Sequence, residues 1–228
     1  MRRHPLRCVL LTTDAPRLAE ASERLVRRLF DVVHCSRHAR SERVVPSEAR
    51  EAAQGCDVLL NYLSPMILPA PMLAGVAVEA INIHPAPPDW PGVGSASYAL
   101  FHGDREFGVT AHRMTAQIDA GAIVRVDRFP IYPDETCESL HARALQRTYP
   151  LFIWVCETLA REGRLYPSGQ GWARPAITRA EFDAWMTLSV FDSADDIQKK
   201  VRALQHSRFP GPFVVDHGRR VPYMEAGA

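Results

Sequence analysis

Cys8-Val9-Leu10-Leu11, followed by Thr12-Thr13-Asp14-Ala15-Pro16 and then by Leu18, Ala21, Leu25, Val26 and Leu29 at helical spacing, decides the fold. The first four residues are an apolar run of strand length, and Asp14 with Pro16 gives a helix-start signal ahead of an amphipathic stripe. Outward from this strand and helix the alternation continues: a strand over 31–34, a helical stretch over 47–53, a strand over 57–61 and a strand over 76–83. Such alternation predicts an α/β, Rossmann-like, mostly parallel sheet with helices on both faces. Ligands in such sheets sit beyond the carboxyl ends of strands, where Asn82 and His84 fall if the fourth strand ends at Ile83.

Further along, 95–102 reads as a helix and 108–114 and 123–131 read as strands. Thr136 is placed to cap a long helix with Leu140, Ala144, Leu151, Val155 and Leu159 on one side, a kink at Pro150 and a stop at Gly163. The turn-rich run Tyr166-Pro167-Ser168-Gly169-Gln170-Gly171 marks a boundary between a core domain, 1–166, and a small C-terminal appendage, 167–228. In the appendage Ser193 and Asp196 resemble a capping pair ahead of Ile197, Val201 and Leu204. Residues 213–215 and 221–223 suit a hairpin across His217-Gly218.

Composition excludes several classes. With 27 Lys and Arg against 26 Asp and Glu, the formal charge of +1 gives no strong field to hold nucleic acid or an anionic membrane, so neither partner is expected. The apolar run behind the basic start is too short for a signal h-region or a spanning helix, and a cytoplasmic protein is expected. The turn after the first strand has no glycine, which argues against a dinucleotide enzyme. Five separated cysteines without a Cys-x-x-Cys pair read as reduced core thiols. His34-Cys35-Ser36-Arg37-His38 reads as a polar loop, and no metal is assigned.

The chemistry is concentrated in Asn82-Ile83-His84 and, 35 residues beyond His84, Asp119. An amide, an imidazole and a carboxylate suit acyl transfer: a donor for a developing oxyanion, a base that titrates near neutrality, and an acid that sets the base's charge state. Taken singly, Asn82 is an ordinary turn former, His84 a core histidine and Asp119 a turn residue before Gly121. His112 lies in an alternating strand segment and reads as structural or supporting.

Ile81-Asn82-Ile83-His84-Pro85 through Gly92, then Phe107-Gly108-Val109-Thr110-Ala111-His112-Arg113-Met114, then Asp119-Ala120-Gly121-Ala122-Ile123 form an ordered set that resembles the folate-dependent formyltransferase family. With Leu63-Ser64-Pro65-Met66-Ile67-Leu68-Pro69 the resemblance covers about two thirds of the chain. It implies 10-formyl-tetrahydrofolate as co-substrate. It also implies that Asn82 bonds the formyl oxygen, His84 receives a proton from the attacking amine and Asp119 orients His84. Met66, Ile67, Leu68 and Gly121 would line the folate site, and Pro88, Trp90 and Gly92 the acceptor site.

The chain departs from the family in Ala86-Pro87-Pro88-Asp89-Trp90-Pro91-Gly92, whose three prolines stiffen the loop and leave the bond before Pro88 open to either isomer. Trp90 in that loop either stacks on a bound ring or anchors the core. Gly94 to Asp104, and the tail over 197–204 with Phe209-Pro210-Gly211-Pro212-Phe213, are most similar to the sugar N-formyltransferase branch. That branch implies a nucleotide-linked 4-amino-4,6-dideoxysugar as acceptor. Methionyl-tRNA formyltransferases carry a further barrel-like domain and a basic surface, and rank lower. A formyl-tetrahydrofolate hydrolase, or transfer to a peptide or siderophore-precursor amine, remain alternatives. Trp185, Met186, Leu188, Val190 and Phe191 form an apolar cluster to be buried either against the core domain or in a homodimer.

Overall fold

The computed structural model describes residues 4–207 and 211–223. Its elements run β1 (Arg7–Thr13), α1 (Pro16–Leu29), β2 (Asp31–His38), α2 (Ser47–Ala53), β3 (Val58–Tyr62), α3 (Ala70–Ala74), β4 (Glu79–His84), α4 (Ser95–His102), β5 (Glu106–Arg113), β6 (Ile123–Pro130), α5 (Cys137–Glu162), α6 (Arg179–Trp185), α7 (Ala194–Leu204), β7 (Phe213–Asp216) and β8 (Arg219–Pro222). The main sheet has the order β2-β1-β3-β4-β5-β6, parallel from β2 to β4 and antiparallel at β4–β5 and β5–β6. This is the mostly parallel α/β architecture expected.

The local chemistry explains most boundaries. Pro16 occupies the first turn of α1, where its missing N–H costs nothing, but Asp14 is not the cap: Ala15 holds that position and no side chain bonds the free amides. Thr136 caps α5 through a reciprocal pair with Ser139, and Gly163 ends the helix in the left-handed conformation. α5 continues through Pro150. Ser193 caps α7 by accepting from the Asp196 N–H at 3.1 Å.

Two sequence expectations are corrected. Residues 34–38 are not a loop: they are the second half of β2, paired with β1 from Val9↔His34 to Thr13↔His38. Their polar character reflects one face of an edge strand, on which Ser36 hydrogen-bonds both His34 and His38. The fourth strand starts at Glu79 rather than Val76, because pairing with β3 begins at Val58↔Glu79 while Ala77 and Val78 bond back to Cys56 and Asp57.

Alternation of the parallel strands divides their side chains between two apolar clusters. One gathers Val9, Leu11, Leu59, Met66, Leu68 and Met72; the larger gathers Leu10, Leu60, Tyr62, Ile81 and Ile83 against Leu151, Phe152 and Val155 of α5. Phe182, Met186 and Leu204 of the appendage belong to the larger cluster. Of the apolar group at 185–191, Met186 and Leu188 are buried within the chain, whereas Val190 and Phe191 are 94% and 93% exposed. The expected hairpin forms as β7–β8; Phe209 and Pro210 of the tail motif lie outside the described residues. Among the described residues no peptide bond is cis, so the bond before Pro88 is trans, and no helix is long and apolar enough to cross a membrane.

Candidate active site

β4 ends at His84, at the carboxyl edge of the sheet, and its antiparallel partner β5 puts Asn82 opposite His112 and His84 opposite Thr110. The two residues of the Asn-x-His motif point the same way because side chains two apart on a strand share a face. Asp119 arrives from the β5–β6 connection. Its φ of +44° lies in the left-handed region, a conformation Asp tolerates better than most residues and one that concentrates at functional sites. Two residues on, Gly121 is required, because a Cβ there would run into the Arg113 carbonyl.

The carboxylate of Asp119 faces both imidazoles: Oδ2 lies 3.3 Å from His84 Nδ1 and Oδ1 lies 3.3 Å from His112 Nε2. The Gly92 N–H donates to Oδ2 at 2.8 Å. Burial by itself would raise the Asp119 pKa, but the two histidines and the Gly92 amide outweigh it and hold the group down to about 2. His84 is 8% exposed; burial lowers its pKa below the ordinary value, against the opposing pull of Asp119. His84 Nδ1 faces the carboxylate, whereas Nε2 is buried and has no hydrogen-bond partner among the described residues. A neutral imidazole with an unengaged lone pair is the chemistry of a general base.

His112 does more than fill a strand. Its Nδ1 donates to the Arg113 carbonyl at 2.8 Å, and its Nε2 lies 3.0 Å from Asn82 Nδ2 and 3.3 Å from Asp119 Oδ1. The Asn82 amide is thereby held against the His112 ring. One residue along, Arg113 makes a two-pronged pair with the buried Glu79 at 2.8 and 2.7 Å and donates to the Leu165 carbonyl. That clamp fixes the β4–β5 pairing against the segment that follows α5.

The remaining expected site residues divide. Gly92 touches the site through its bond to Asp119. Pro88 is buried and uses its carbonyl to bind the Ala173 N–H. Trp90 takes the anchor role: it is 9% exposed, donates Nε1–H to Asp104 at 2.6 Å and lies nearly parallel to Tyr98 and His102 at 5.5 and 5.0 Å. Its ring is packed within the chain by these two neighbours. Met66 and Leu68 turn their side chains into the core, and in this extended segment only Ile67, 58% exposed, faces out. Any contact with a ligand from 66 and 68 would use their backbone.

Sequence reasoning missed Trp172. Its Nε1 donates to the Gly121 carbonyl at 2.8 Å, and its ring meets His84 and His112 edge-on with centroids 6.1 and 5.0 Å away. The available signal was a lone tryptophan inside a turn-rich stretch.

With this geometry in view, comparison with known proteins is specific. Residues 5–155 match the family model for formyl transferases, and the chain belongs to that family. The methionyl-tRNA formyltransferase of Methylobacillus flagellatus is 30% identical over 171 residues, 75% of this chain and 54% of that protein, so the chain spans about half of that relative's length. Among solved structures, a sugar N-formyltransferase from Shewanella sp FDAARGOS_354 superposes with a TM-score of 0.77 at 18% identity, covering 95% of this chain and 96% of the other. A 4-N formyltransferase from Francisella tularensis gives 0.74 at 16% identity, covering 97% of each. At these identities the structures show a shared fold.

Proposed function

We propose that this protein transfers the formyl group of 10-formyl-tetrahydrofolate to the primary amine of a nucleotide-linked 4-amino-4,6-dideoxysugar. The observation that carries the transfer reading is the bare Nε2 of His84, backed at Nδ1 by a carboxylate and placed beside an amide held against the His112 ring. The uncharged amine attacks the formyl carbon, and Asn82 Nδ2–H donates to the oxygen as it gains charge. His84 Nε2 takes the proton released by the amine and returns it to the folate nitrogen as the carbon–nitrogen bond breaks, giving a formamide and tetrahydrofolate. Asp119 stabilises the imidazolium that forms in between. The exposed Ile67 and the backbone of Met66, Leu68 and Gly121 are the groups proposed to meet the folate.

The sugar acceptor is supported by the near full-length likeness to sugar N-formyltransferases, which includes the appendage, and by the balanced charge of the sequence. Methionyl-tRNA is the second reading, favoured by the names of the sequence relatives. The discriminating experiment incubates the protein with 10-formyl-tetrahydrofolate and either a panel of nucleotide-linked aminosugars or methionyl-tRNA, with mass spectrometry of each acceptor. One formyl group gained by a panel member supports the sugar reading, and a gain on the tRNA alone replaces it. Consumption of the folate at full rate without any amine makes the protein a hydrolase.

A further inference from the structure

We propose that Trp172 is a shield that keeps water from His84 Nε2 and so sets the balance between formyl transfer and formyl hydrolysis. The inference rests on the transferase reading above and concerns a residue outside its chemistry. Trp172 lies edge-on to both imidazoles of the site, and its single polar atom is already engaged with the Gly121 carbonyl. Indole has no acceptor, so this wall offers a water molecule nothing to bind. A site holds water only where two to four polar partners converge. An acceptor amine needs no such partners, because the rest of the acceptor holds it in place.

The segment carrying Trp172 is tied across the centre. Ala173 N–H donates to Pro88 O at 3.1 Å, Ile177 N–H to Pro91 O at 3.0 Å, and Val93 N–H to Ile177 O at 3.0 Å. Between these bonds sits Gly92, whose φ of +86° and missing Cβ let the Ile177 backbone lie directly against it. Gly92 is also the residue whose amide holds Asp119. The loop that fixes the carboxylate and the strap that carries the indole are therefore one assembly.

The reaction held back is balanced and simple. A water oxygen attacks the formyl carbon, its proton passes through His84 Nε2 to the folate nitrogen as that bond breaks, and formate and tetrahydrofolate leave. Removing the indole opens the base to solvent. Trp172 belongs to neither apolar core cluster, so its replacement removes no core packing, and an unchanged unfolding midpoint in each variant is the check that the fold is kept.

The test compares the wild-type chain with Trp172→Ala and Trp172→Phe, each given 10-formyl-tetrahydrofolate and no acceptor, with formate measured over time. Trp172→Ala is expected to release formate about tenfold faster than the wild type, and Trp172→Phe, which keeps a ring, to stay near it. In parallel, the imidazole NMR signals of His84 should titrate at higher pH in Trp172→Ala, since the burial that depresses that titration is partly relieved. Formate release by Trp172→Ala no faster than the wild type overturns the proposal. A wild type that itself hydrolyses the folate at full rate sinks the transferase reading instead, and the ratio of variant to wild type still judges the shield.

Discussion

The Gly92 N–H lies 2.8 Å from Asp119 Oδ2, and this one bond ties the loop after β4 to the carboxylate that faces both site histidines. A Cβ at position 92 would collide with the Ile177 backbone, and φ is +86° there. Gly92→Ala should therefore displace the loop, the strap and Asp119 together. A backbone penalty of about 1–3 kcal/mol is expected in denaturant unfolding, with a fall in kcat larger than the change in KM. Wild-type kcat in this variant would mean that the bond does not position Asp119.

Asn82 and His112 act as one unit. Loss of an oxyanion donor costs about 10²–10³ in kcat, which is the expectation for Asn82→Ala. His112→Ala, which leaves the amide free to turn, should cost about tenfold or more by the same route. On the Asn82→Ala background the second substitution should then cost little, because its effect runs through the amide already removed. Full additivity in the double variant would assign His112 an independent role.

The strand–helix alternation, most helix boundaries and the shared face of Asn82 and His84 were legible in the sequence because each has a local cause: apolar runs, Thr136 and Gly163 at the ends of α5, side chains two apart on one strand. What was hidden depends on pairing between distant segments. The register that sets Asn82 against His112 appears only once 81–84 is paired antiparallel with 110–113. The anchoring of Trp90 depends on Asp104 and Tyr98, and the reach of Trp172 to the imidazoles depends on the backbone bonds of 173–177 to 88–93. Residues 34–38 were misread because an edge strand can afford a polar face, which composition does not separate from a loop.

The clamp of Glu79 and Arg113 should prove structural rather than chemical. Glu79 is 5% exposed and takes both prongs of the guanidinium together with the Leu165 N–H at 3.2 Å. Arg113→Met strands a buried carboxylate, and a loss of about 3 kcal/mol is expected in denaturant unfolding. Glu79→Gln, which keeps one acceptor oxygen, should lose less. Equal losses would show that the charge on Glu79 contributes little.

The pH dependence has a definite sign. Folded Asp119 titrates at about 2 against an ordinary 3.8, so its contribution, on the order of 2 kcal/mol, is present above pH 4 and is lost as the pH falls toward 2. His84 is depressed by burial, so below its ordinary value of 6.5 the unfolded chain binds a proton that the folded chain refuses. Folding stability should therefore fall as the pH drops below about 6.5, and His84→Gln should flatten that part of the curve. The acid limb of kcat/KM should lie below pH 6.5 for the same reason. Because Asp119 is the group that raises the His84 pKa, Asp119→Asn should move the limb lower still while reducing the rate. A limb that moves up in Asp119→Asn would mean that the carboxylate does not act on His84 through its charge.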